Sequence, residues 1–179
     1  LGTGVGGGFL IDGKLFIGGL LGGTEFGHTV VQVGGVRCTC GREGCLESYA
    51  SATGLIRMAR EQMDKHPDSL LWKLCDGDKS KVNAELAFKA SDEKDEAGML
   101  AVQEYMKYLA AGVANAINMF RPEVVVLGGG ISNRGEKLAA ELNEMVKGEC
   151  FGHTFVKPAE VVIASLKNDA GIIGAAELC

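Results

Sequence analysis

No hydrophobic run in this sequence approaches the roughly 18 to 20 residues that a membrane-spanning helix requires; Lys, Arg, Asp, Glu or Gly interrupts every one. Positive charge is also short. The 18 basic and 23 acidic side chains leave a net charge of -5, which removes any basis for diffuse attraction to nucleic acid or an anionic membrane. The opening residues Leu1-Gly2-Thr3-Gly4 bring neither a basic segment nor an apolar signal core, so nothing marks the chain for secretion and a cytoplasmic location is expected. Without an export signal, the 6 cysteines read as metal ligands or reduced thiols in preference to a disulfide framework. Internal repeats are absent. With 46% apolar and 23% charged residues, the composition suits one soluble globular domain of ordinary size, and a small molecule is the expected partner.

What the chain has in excess is glycine, 27 residues against 3 prolines, and its clustering points to backbone that approaches a ligand closely. Apolar segments at 8–11 and 14–17 flank Asp12-Gly13, a strong hairpin signal. Residues 29 to 33 read as a strand, 46 to 63 as a helix, and 64 to 98 as short helices with a solvated face. Met99, Val102, Met106, Leu109, Val113, Ile117 and Phe120 recur at spacings of three and four, which predicts a long central helix ended by Arg121-Pro122. The methionines at 99, 106 and 119 accordingly read as core. A buried strand at 123–127, a helix at 135–147, a strand at 159–164 and a final helix from Asp169 toward Leu178 complete the pattern. Hairpin strands followed by alternating helices and strands predict an α/β fold with a mixed sheet.

Two nucleotide signatures fail on context. Gly2, Gly4 and Gly7 fit G-x-G-x-x-G, yet a hairpin follows where the motif demands a helix. Residues 8 to 14 approach a phosphate loop of the Walker type, but Leu15 stands where a hydroxyl must hold magnesium. A simpler property survives: Gly2-Thr3-Gly4 can present backbone N–H groups and the Thr3 hydroxyl to an anion such as a phosphate, although the same glycines also suit a tight turn. Gly128, Gly129 and Gly130 follow a predicted strand and precede a predicted helix, the usual setting for a ligand at a strand's carboxyl end. Together the two loops suggest a bound nucleotide.

His28, Cys38, Cys40 and Cys45 form H-x9-C-x-C-x4-C, with Gly41 and Gly44 free to turn the sulfurs inward. Three thiolates and one imidazole make a closed tetrahedral zinc site, structural because it leaves no coordination position for water. Cys75, Cys150 and Cys179 lack ligand spacing and read as packed or exposed thiols, while His66 and His153 have no motif partner. Glu25 and Glu47 bracket the metal loop, where their carboxylates can converge to accept hydrogen bonds from a polyhydroxyl ligand or remain solvated.

In their order and spacing, Leu1 to Gly8, Glu25-Phe26-Gly27-His28, Cys38-Thr39-Cys40-Gly41-Arg42-Glu43-Gly44-Cys45-Leu46-Glu47, Gly128-Gly129-Gly130 and Asp169-Ala170-Gly171 resemble the ROK family, its glucokinase-like sugar kinases in particular. The resemblance implies an actin-like ATPase fold of two ribonuclease-H-like lobes, with residues 1–179 forming most of a single C-terminal lobe and a zinc loop at about 28–47. It implies ATP with Mg2+ as co-substrate, phosphorylation of a hexose, glucose above all, at its 6-hydroxyl, and a homodimer. Thr3, Gly4 and Gly128 to Gly130 are then expected at the nucleotide. Glu25, His28 and Glu47 are expected on the sugar, with His28 also ligating zinc beside Cys38, Cys40 and Cys45. Family kinases carry a D-x-G-x-T loop and an Asn-Asp pair, whose Asp is the general base, before the Gly-Thr-Gly motif. Neither stands before Gly2-Thr3-Gly4 in this sequence, so no catalytic residue is expected here and the chain reads as one lobe of a longer enzyme. The rival reading is the sugar-sensing effector domain of a ROK transcriptional regulator. Thr24 stands where many members have Gly, which leaves the choice of sugar open.

Overall fold

The computed structural model of the chain describes residues 1–166 and 169–177. They group into two compact units: one runs from Thr3 to Tyr105, and the other joins Leu1 and Gly2 to the described residues from Met106 onward.

In the unit of residues 3–105, β1 (Leu10–Ile11) and β2 (Lys14–Leu15) pair antiparallel, with Leu10 opposite Leu15. The turn residues Asp12 and Gly13 have φ of 53° and 73°, the left-handed values whose twist suits a two-residue hairpin. Residues 29 to 33 do not form the expected strand. Gly34 turns the chain at φ 66°, and the Val31 and Gln32 N–H groups both donate to the Gly44 carbonyl. In place of a strand ladder, the segment makes one isolated bridge, Val30 opposite Cys45; a second bridge, Arg37 opposite Glu43, lies within the cysteine loop.

The helix expected over residues 46–63 is two helices, α1 (Glu47–Ala50) and α2 (Ala52–Lys65). Ser51 interrupts them in an extended conformation, and its hydroxyl accepts the Gly54 N–H at 3.0 Å, the ordinary role of an N-cap serine. Leu55, Met58, Ala59 and Met63 form the buried stripe of α2. The charge-rich stretch holds α3 (Leu70–Leu74) and α4 (Ala84–Asp92), begun by the caps Ser69 and Asn83. Asp95 accepts the Gly98 N–H at 2.9 Å at the start of α5 (Glu96–Phe120) and also the Leu70 N–H at 2.8 Å. One carboxylate thus supports two helix starts. Tyr105 is fully buried, edge-on to Phe88 at 6.0 Å, and its hydroxyl donates to the Ala50 carbonyl at 3.1 Å. That bond anchors the short helix that begins with Glu47.

In the other unit, Met106, Leu109, Val113 and Ile117 of α5 are buried at the predicted spacing. Met99 and Met119 are not core: they are 38% and 68% exposed, the first in an end turn and the second two residues beyond Ile117 and off the stripe. β3 (Val124–Leu127) and β4 (Glu160–Ile163) pair parallel, Val125 opposite Val161, and α6 (Glu136–Lys147) packs on β4. Among the described residues the expected mixed sheet is therefore two separate pairs, one antiparallel and one parallel. β3 is also less buried than predicted. Leu127 is covered, whereas Val124 and Val126 are exposed: side chains alternate across a strand, and these two share the face that the described residues leave uncovered. α7 (Ala170–Ala176) follows Asp169; Leu178 and Cys179 lie outside the described residues. No helix among the described residues is long and apolar enough to cross a membrane.

One side chain closes an edge of β4. Asn143 of α6 accepts the Val161 N–H at 2.9 Å and donates to the Val161 carbonyl at 2.8 Å, as a neighbouring strand would. Asn143→Ala leaves both groups of a buried residue without these partners. It is expected to cost about 2–4 kcal/mol, seen as a lower urea midpoint at an unchanged m-value.

Candidate metal centre and ligand site

The loop from His28 to Cys45 is shaped by backbone bonds and by glycines that no other residue can replace. Cys38 donates to the Arg42 carbonyl at 2.8 Å, and Gly44 to the Val36 carbonyl at 2.9 Å. Gly41 and Gly44 take φ of 91° and 77°, and a Cβ on Gly44 would collide with the Gln32 carbonyl. Beneath the loop, the buried Tyr49 hydroxyl accepts the Val36 N–H at 2.7 Å. Arg42 reaches back to the His28 carbonyl at 3.1 Å. The sequence carries no signal for these last two roles.

The four predicted ligands come together. The donor atoms of His28, Cys38, Cys40 and Cys45 all lie within 4.8 Å of one another. His28 Nδ1 stands 3.6 Å from Cys38 Sγ, and Cys40 Sγ stands 3.7 Å from Cys45 Sγ. In a tetrahedron with Zn–S bonds of about 2.3 Å and a Zn–N bond of about 2.0 Å, the corresponding edges are about 3.6 Å for N···S and about 3.8 Å for S···S. The donor set and its spacing fit a zinc ion, and His28 keeps its Nε2 for another partner. The thiols differ in acidity. Burial pushes Cys45 up, and its hydrogen bonds with Cys40 and Cys38 push it further. Burial also acts to raise Cys38, but the Cys40 backbone N–H and bonds from Cys40, Ser48 and Cys45 outweigh it, so Cys38 lies below the usual thiol value.

Glu47, at the start of α1, joins this loop to the Gly-Thr-Gly segment. Its Oε2 accepts the Val5 N–H at 3.0 Å, and its Oε1 faces the Thr39 hydroxyl at 3.3 Å. Gly4 lies so close beneath the carboxylate that a Cβ there would strike Oε2. Thr3 is exposed, and its carbonyl accepts the Thr53 hydroxyl at 2.8 Å. Glu25 immediately precedes the 3-10 turn Phe26–His28, with its carbonyl accepting the His28 N–H at 3.0 Å. Its exposed carboxylate makes no hydrogen bond among the described residues. Thr24 adopts φ 68°, a conformation that costs a β-branched residue energy and that glycine would adopt freely.

In the other unit, Gly128 to Gly130 follow β3, but a 3-10 turn (Gly130–Arg134) comes between them and α6. Only Gly129 is demanded by the fold itself: its φ is 86°, and a Cβ would lie 2.5 Å from the Leu1 carbonyl oxygen. Among the described residues nothing lies within 4 Å of where a Cβ on Gly130 would stand. The remaining described cysteines are structural. Cys75 and Cys150 are buried, and Cys179 lies outside the described residues. His66 pairs with Glu96 at 3.6 Å.

The ROK family model matches residues 1–179. A glucokinase of Thermotoga maritima is 42% identical over 178 residues, a span that covers 99% of this chain and 56% of that protein. A xylose repressor of Caldicellulosiruptor bescii is 29% identical over 176 residues, covering 97% of this chain and 43% of that protein. Among solved structures, a ROK family glucokinase from Streptomyces griseus in complex with glucose and AMPPNP matches with a TM-score of 0.92 at 32% identity, covering 100% of this chain and 58% of that one. The chain spans about half the length of the curated relatives it matches.

Three thiols and an imidazole must give up their protons to hold a metal, so affinity is expected to rise with pH. Titration of metal-free protein with Co2+ should reach one equivalent with the intense d–d bands of a tetrahedral thiolate site. Those bands should fade as pH falls and be missing from Cys45→Ser.

Proposed function

The chain belongs to the ROK family, and from that membership we propose that the whole protein is an ATP-dependent hexose kinase acting on the 6-hydroxyl of glucose. In this reading the chain contributes the sugar ligands, a structural zinc loop and part of the nucleotide site. The observation that carries it is Glu47, whose carboxylate bridges the metal loop and the Gly-Thr-Gly segment, in a chain similar along nearly all its length to glucokinases. The xylose repressor supports the rival reading, a sugar-sensing effector of a transcriptional regulator, more weakly, because its identity is lower.

Glu25 and Glu47 would accept hydrogen bonds from sugar hydroxyls, and His28 would offer Nε2 while Nδ1 binds the metal. Zinc held by His28, Cys38, Cys40 and Cys45 supplies a cross-link, with no open coordination position. Thr3 and Gly4 are assigned to ATP phosphates, and Gly128, Gly129 and Gly130 to the nucleotide. In the transfer, the sugar oxygen bonds to the γ-phosphorus, the bond to the ADP oxygen breaks, and the hydroxyl proton passes to a base. No residue of this chain is assigned as that base. Positioning and charge stabilisation, including Mg2+ on the phosphates, do the remainder. A single C-terminal lobe over 1–179, ribonuclease-H-like in fold, a homodimer and a cytoplasmic location belong to the same proposal.

The test is a coupled ADP assay of the whole protein against glucose, fructose, mannose and N-acetylated hexosamines. Glucose-dependent turnover is expected, and Glu47→Gln should lower kcat/KM for glucose by about 100-fold or more while zinc stays bound, as loss of charged hydrogen bonds predicts. Sugar binding without turnover on any hexose would favour the regulator.

A further inference from the structure

Glu47 is held at two points of different character. Oε2 is fixed firmly, by the Val5 N–H at 3.0 Å and by the bare Cα of Gly4 beneath it. One held oxygen still lets the carboxylate swing about that contact. Its other oxygen, Oε1, has two neighbours from the metal loop: the Cys38 sulfur at 3.8 Å and the Thr39 hydroxyl at 3.3 Å. A cysteine that ligates a metal has no S–H to give, which leaves Thr39 as the donor. Thr39 lies between Cys38 and Cys40, two of the four candidate ligands, so a bound ion would fix its backbone on both sides.

We propose that Thr39 is a positioning residue for Glu47, its hydroxyl transmitting the rigidity of the metal loop to the carboxylate that meets the sugar. The proposal rests on the sugar-binding reading of Glu47. It gives the metal a part in sugar affinity with no contact to the sugar. The residue between the two cysteines thereby becomes a determinant of how tightly glucose is held.

The experiment uses the whole protein with zinc bound and compares Thr39→Val, which keeps the shape and removes the donor, with Thr39→Ser, which keeps the donor. Thr39→Val should retain one equivalent of zinc, raise the calorimetric Kd and the KM for glucose about 3- to 10-fold, and leave the KM for ATP within about twofold, the size expected for one hydrogen bond. Thr39→Ser should restore both glucose values. Unchanged glucose Kd in zinc-loaded Thr39→Val, or equal loss in Thr39→Ser, would overturn the proposal. A thermal double-mutant cycle decides the tie without sugar: Thr39→Val should lower Tm by about 1–3 °C with Glu47 present and not in a Glu47→Ala background. Equal shifts in both backgrounds would refute it. Glucose binding absent from the unmodified protein would instead sink the sugar reading, with the thermal cycle still judging Thr39.

Discussion

Three sulfurs and one imidazole nitrogen lie within 4.8 Å of one another, the donor set and spacing of a tetrahedral metal site. Burial and its sulfur neighbours push the Cys45 thiol up. The loop has little apolar surface to pay for its own order, and Val33 points into solvent, 90% exposed. A divalent ion held there would supply the closure, of order 10 kcal/mol in small zinc-folded units. The glycines at 41 and 44 and the bond from Val36 to Tyr49 then set the loop's path.

Rigidity gained at a bound ion would reach the candidate ligand groups by short covalent distances. His28 offers one nitrogen to the cluster, and Glu47 lies two residues beyond Cys45. The far end of Glu47 is fixed by Val5, and its helix is fixed by Tyr105 through Ala50. Metal loop, glycine segment and helical core therefore meet at one carboxylate. Gly4 serves this contact as much as any phosphate, since a side chain there would displace Glu47. In the other unit Gly129 is demanded by the close passage of Leu1.

Features encoded by neighbours in sequence are legible without a structure. The Asp12-Gly13 hairpin, the stripe from Val102 to Ile117, the stop at Arg121-Pro122 and the four soft donors all belong to this class. Reading fails where a distant partner decides. The valines at 30, 31 and 33 have the propensity of a strand, but the Gly44 carbonyl captures the backbone donors of Val31 and Gln32. Ser51 sits inside an unbroken helical pattern, and only its bond to Gly54 reveals the break. Val124 and Val126 read as buried because an apolar run implies cover on both faces, and the described residues leave the face of these two uncovered. Thr39 between two cysteines carries no pattern at all. Its place against Glu47 emerges only when the loop is closed.

X-ray absorption at the zinc edge of freshly purified protein addresses the closure itself. A first shell of three sulfurs at about 2.3 Å and one nitrogen at about 2.0 Å is the result this account requires. A shell of oxygens, or protein that contains no zinc yet keeps full sugar affinity, would contradict it.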